Sequence, residues 1–169
     1  MATLKGGTIL SQQKGGSQQK GGTAMKASYS GVNRDVQVLS ELSSTVPGQE
    51  GHVIKQITET WKYTSPNKEF DGALGIAVDQ QDILGDQLTQ KGYAMSRSTN
   101  GDETYFTFQS TGKLNGQEIS GSGTWQWTGG TGKFKGVKGG GPFTYKAGPN
   151  LPLSFEWSGE AEISANEAA

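Results

Sequence analysis

Hydrophobic and polar residues alternate along most of the chain beyond residue 28, with the period of two that marks a strand buried on one face. Val36 and Val38 alternate with Asp35 and Gln37 before Val46-Pro47-Gly48 ends the run with turn residues. Residues 52–63 form the longest clean run, with Ile57, Glu59, Trp61 and Tyr63 on one face and Ile54, Gln56, Thr58 and Thr60 on the other. After Ser65-Pro66-Asn67 a strand is expected over residues 72–78, ended by a polar loop through Gln80, Gln81 and Asp82. Residues 87–98 and 103–111 flank Asn100-Gly101, which predicts a hairpin with a type I′ turn and positive φ at both central residues. Asn115-Gly116 supplies a second turn signal before Ile119.

Further along, Trp125 and Trp127 alternate with Thr124, Gln126 and Thr128, and Phe143 and Tyr145 repeat the pattern beyond a connector rich in glycine. The run over 153–163 closes the chain, with Phe155 and Trp157 opposite Ser154, Glu156 and Ser158. The pattern predicts eight strands, within one or two. Such a chain must dispose of its sheet edges, and closing into a barrel removes them. The expected fold is therefore all-β, an eight-stranded antiparallel barrel, with a β-sandwich as the structural alternative. Eight strands leave an interior that side chains fill or that holds one small ligand.

Composition sharpens this picture. The 169 residues, 31% of them hydrophobic, suffice for one domain with a real core, and 27 glycines suit short strands and tight turns better than helices. Residues 1–25 stand apart: Lys5-Gly6-Gly7, Lys14-Gly15-Gly16 and Lys20-Gly21-Gly22 repeat one polar idea, with Leu4, Ile9, Leu10 and Met25 as the only residues to bury. They read as a flexible arm, since so polar a segment cannot offset the entropy of ordering. Residues 26–169 read as a single barrel domain.

A formal charge of −1 gives no field for collecting phosphates, which argues against nucleic acid as a partner. The chain has no cysteine, which excludes disulfides and thiolate chemistry. No run approaches the 18 or so apolar residues of a membrane span. The chain reads as soluble, cytoplasmic as it stands, or periplasmic or secreted had a leader been removed. His52 is the single histidine, so a multi-histidine metal site is impossible, and at the start of a strand it reads as a surface residue. Gly132-Lys133 is followed by Phe134 where a phosphate loop needs Ser or Thr. Asp79, Asp82 and Asp86 miss the spacing of a calcium loop and read as a solvated turn. No metal and no organic cofactor is expected.

Certain stretches carry a family resemblance: Gly101-Asp102 leading into Tyr105-Phe106-Thr107-Phe108, then Gly121-Ser122-Gly123-Thr124-Trp125, Gly129-Gly130-Thr131-Gly132-Lys133-Phe134, and Trp157-Ser158-Gly159-Glu160. Over roughly residues 50–163 they resemble the barrel shared by allene oxide cyclases, dirigent proteins and their bacterial relatives. The resemblance implies an antiparallel eight-stranded barrel with an apolar cavity, and a trimer as in the plant members. It lies in scaffold glycines and aromatics, and no polar site residue of those families maps onto a position here.

The residues themselves suggest where chemistry would sit. Aromatics recur on the predicted strands, and as core they need no further role. In a barrel, inward aromatics from distant strands also border one space, and Trp61, Tyr93, Trp125 and Trp157 are the candidates to line it. Glu59 and Glu156 each stand beside a tryptophan in sequence. Glu59 shares the face of Trp61 and is the candidate polar anchor or acid–base group, provided that it points inward. Outward exposure is the default expectation for both Glu59 and Glu156. The reading that follows is a barrel binding a small apolar molecule. The alternatives are a cyclase or isomerase that confines a reactive apolar substrate, and a structural or assembly protein whose arm makes subunit contacts in a homo-oligomer.

Overall fold

The computed structural model describes residues 25–163, and the arm expected over residues 1–25 lies, apart from Met25, outside them. The described chain is all-β: β1 (Met25–Thr45), β2 (His52–Thr64), β3 (Leu74–Leu84), β4 (Gln87–Arg97), β5 (Glu103–Asn115), β6 (Glu118–Gly130), β7 (Lys138–Gly148) and β8 (Leu151–Ile163). Each strand pairs antiparallel with the next in sequence, and β8 returns to β1, giving a closed eight-stranded barrel. Antiparallel neighbours need only short links, so hairpin-scale turns suffice.

Two of these turns are two-residue links headed by Gly85 and Gly116, both with positive φ. The hairpin at Asn100-Gly101 forms, but with a different turn from the one expected. Only Gly101 carries positive φ, and Gly101 N–H donates to Ser98 C=O while Ser98 N–H donates to Asp102 C=O. The loop is a three-residue link closed by a left-handed glycine rather than a two-residue type I′ turn. β3 likewise departs from expectation. It runs through Gln80, Gln81 and Asp82 to Leu84, because these residues keep strict pairing with both β2 and β4. Polar side chains at outward or half-buried positions are compatible with a strand whose other face is buried.

The two ends of the barrel differ. One carries the tight hairpins. It also carries the link over residues 46–51, while the other end carries the links over residues 65–73, 98–102 and 131–137, together with Met25 and Ile163. There Phe70 and the fully buried Phe134 meet at a ring distance of 5.5 Å, with Ala73 and Val137 buried beside them, and close that end. Phe134 sits in a single 3₁₀ turn, Gly132–Phe134, flanked by Gly132 at φ 52° and Gly136 at φ 72°. Lys133 pairs with Glu69 at 2.9 Å and lies over the Phe134 ring, so it serves the closed end and not a phosphate.

The seam between β1 and β8 is the irregular part of the wall. It is paired from Met25↔Ile163 to Asn33↔Phe155 and no further. Immediately beyond Asn33, β1 has register shifts at Arg34/Gln37 and Val38/Ser40, and Asp35 takes a left-handed φ of 54°. Bulges of this kind bend and twist a strand. Past them β1 pairs with β2 alone, while residues 151–154 of β8 have no partner on β1.

Candidate functional site

Interior positions follow from strand parity. Along β2 the inward residues are Ile57, Glu59, Trp61 and Tyr63, all buried. Opposite, β6 sends in Trp125 and Trp127, β7 Phe143 and Tyr145, and β8 Phe155 and Trp157. Small residues on neighbouring strands make room for the large rings. The Trp61 indole lies over Gly75, where a Cβ would meet it at 2.1 Å.

These rings border a cavity of about 70 Å³ inside the barrel, several times what one water molecule needs. Its wall includes Trp61, Tyr63, Trp125, Trp127, Phe155 and Trp157, with Glu59, Asn33 and Ser96 as polar members. The rings meet mainly edge to face, as Trp125–Trp157 at 6.0 Å and 89° and Tyr63–Trp157 at 5.7 Å and 88°. Every tryptophan of the chain lies on this wall.

Three of the four aromatic candidates, Trp61, Trp125 and Trp157, are therefore brought together around one space. The fourth, Tyr93, requires correction: it stands on the outer wall, 76% exposed. On β4 the inward positions are Leu88, Gln90, Gly92, Ala94 and Ser96, so the large aromatic at position 93 falls on the opposite face from the small, enclosed residues beside it. Its neighbours across the sheet, Val78 and Thr107, also face out. Glu156 is exposed on the outside of β8. His52 lies at the hairpin end, its Nε2 2.7 Å from Asp82 Oδ1 and its Nδ1 2.7 Å from Gln49 Oε1.

Glu59 does point inward, and only 6% of it is exposed. Burial pushes its carboxyl up to about 7, and the charge of Asp79 adds to the rise. Among the described residues, no cation or hydrogen-bond donor counts among the causes of the shift. Asp79, on the adjacent strand, is itself buried at 2% exposure, and burial raises its pKa too. Gln90 Nε2 donates to Asp79 Oδ2 at 2.7 Å, and Ser110 Oγ donates to Gln90 Oε1 at 3.1 Å, so a polar layer spans β3, β4 and β5 at the level of Asp79. Asp79 Oδ1 remains unpartnered.

On the other side of Trp61, the Tyr63 hydroxyl and Ser96 Oγ share a hydrogen bond of 2.6 Å. Burial pushes that hydroxyl up to about 12, partly offset by the Ser96 bond and by the nearby Trp61 indole. Trp61 Nε1, Trp157 Nε1 and Asn33 Oδ1 are buried without a hydrogen-bond partner among the described residues. Three residues of an otherwise apolar wall thus hold buried polar atoms without partners, a costly state in a folded interior.

Asp79, Asn33 and Ser96 are site residues that the sequence pattern does not single out. In sequence Asp79 belongs to a solvated loop with Asp82 and Asp86, but strand pairing turns it into the barrel while Asp82 faces out. Among the described residues no group of acidic and histidine side chains is arranged to hold a metal ion. No described helix is long and apolar enough to cross a membrane. No family model, curated protein or solved structure matches this chain.

Proposed function

We propose that this barrel binds a small, largely apolar molecule carrying one polar group, with the aromatic wall holding its body and Glu59 its polar end. The observation that carries the reading is the cavity itself: a ring-lined space with a single buried carboxyl that no cation or donor among the described residues compensates. A ligand oxygen or N–H beside Glu59 relieves that carboxyl, and the unpaired Asn33, Trp61 and Trp157 atoms offer further bonds. A volume near 70 Å³ is too small to enclose a long chain, and a ring fits only as the surrounding side chains shift to widen the space.

A second reading has its own support. A carboxyl with a pKa of about 7 is half protonated at neutral pH, the condition for a general acid or base. The cyclase or isomerase reading, in the manner of the allene oxide cyclases that the sequence resembles, uses Glu59 in that role and confinement by the tryptophans. Self-association belongs to the same proposal, with Leu74, Ile76, Val78, Tyr93 and Tyr105 exposed on the outer wall as the surface for it.

Native mass spectrometry of freshly purified protein tests the binding reading. It is expected to find a retained apolar molecule that leaves when Glu59→Gln is combined with Trp157→Ala, and it reports the subunit number in the same spectrum. An empty barrel that also fails to take up any added terpenoid, phenolic or fatty acid contradicts the reading.

A further inference from the structure

We propose that the parted seam between β1 and β8 is the entrance to the cavity, and that Val38 is its lip and sets what passes. The proposal rests on the binding reading above but concerns how the interior is reached. The last paired residues of the seam, Asn33 and Phe155, both line the cavity, so the wall separates where the space lies behind it. Beyond this point the two strands are no longer paired. Two register shifts and the left-handed Asp35 bend β1 away, and each strand keeps only its other neighbour.

Val38 marks the gap. It is the register partner of Glu59, and directly opposed residues of an antiparallel pair share a face. Glu59 faces inward and is 6% exposed, yet Val38 beside it is 55% exposed. An inward side chain on a closed wall would be covered by β8, and here β8 is not paired to cover it. Leu39, in the register shift next to it, is also exposed, whereas Leu42 opposes Gln56 on the outer face. A molecule arriving there meets apolar side chains first and the Glu59 carboxyl next. Phe70, Phe134, Ala73 and Val137 fill the end that carries the links over residues 65–73 and 131–137, so entry is not through that end.

The chain suits a direct test, because it has no cysteine and all its tryptophans line the cavity. R34C and S154C place thiols on either side of the gap, to be joined by a reducible bismaleimide, with the unlinked double variant as its own folding control. Quenching of tryptophan fluorescence by acrylamide and by nitrobenzene, a neutral single-ring molecule, reads access to the interior. Linking is expected to slow both severalfold and cleavage of the linker to restore them. Val38→Phe is expected to slow access and Val38→Ala to speed it. Quenching unaffected by the link and by both Val38 variants would overturn the proposal. If quenching follows the link while no ligand binds at equilibrium, the entrance stands and the binding reading falls. If a ligand binds at the same rate with the seam linked, the reverse holds.

Discussion

At the scale of single residues, Glu59 is decisive, and its environment makes a signed prediction. Its carboxyl titrates near 4.5 when unfolded and about 7 when folded, so the folded state holds the proton more tightly. The folded state therefore binds more protons than the unfolded one between these values, and stability falls as pH rises through that window. The fall amounts to about 3 kcal/mol at most, since each tenfold change in proton affinity is worth roughly 1.4 kcal/mol. Glu59→Gln is expected to remove most of it, leaving the part due to Asp79, and to be more stable than the wild type at pH 8. Urea unfolding at pH 4.5 and 8 checks this, and an unchanged pH slope in the variant would show that the carboxyl is not held in an apolar interior. Asp35 is the other informative residue. A β-branched side chain is strained at a left-handed φ, so Asp35→Val is expected to cost about 1–2 kcal/mol while Asp35→Gly costs little or stabilises. Equal midpoints for the two variants would contradict the bulge geometry.

Elements show how much of the fold was legible. The shared face of Ile57, Glu59, Trp61 and Tyr63 on β2 could be read from their alternation with the other face. Alternation alone left Glu59 expected outside, however, and only the closed barrel shows that this face is buried. The shared faces of Trp125 and Trp127 on β6 and of Phe155 and Trp157 on β8 could be read in the same way. β3 misled, since Asp79 and Gln80 look like the start of a loop, and only pairing on both sides shows that the strand continues. Tyr93 misled for a related reason. Hydrophobicity named it as interior, whereas Gly92 and Ala94 occupy the inward positions and leave the tyrosine outside. Asn33 was hidden because it lies just before a bulge, where parity cannot be counted through. The connector glycines yield an element-scale prediction: with φ of 52° and 72°, Gly132→Val and Gly136→Val are each expected to destabilise by about 1–3 kcal/mol. At Gly132 a Cβ would also meet the Asp102 carboxylate. Near-wild-type denaturation midpoints for both would remove the structural role assigned to this connector.

For the whole molecule, closure of the sheet joins these local features. Trp61 on β2 and Trp125 on β6 stand 64 residues apart in sequence, yet they face one space because the barrel wraps around it. One end is sealed by Phe70 and Phe134, and the unpaired stretch of the β1–β8 seam is the entrance proposed above. The central claim is that this space takes a small apolar molecule anchored at Glu59. The most direct measurement is titration of tryptophan fluorescence with terpenoids, phenolics and fatty acids in the wild type and in Glu59→Gln. A saturable change in the wild type for at least one class, clearly weakened in Glu59→Gln with the fold intact, is the predicted result. No saturable change for any class, or a response that Glu59→Gln leaves untouched, would contradict it.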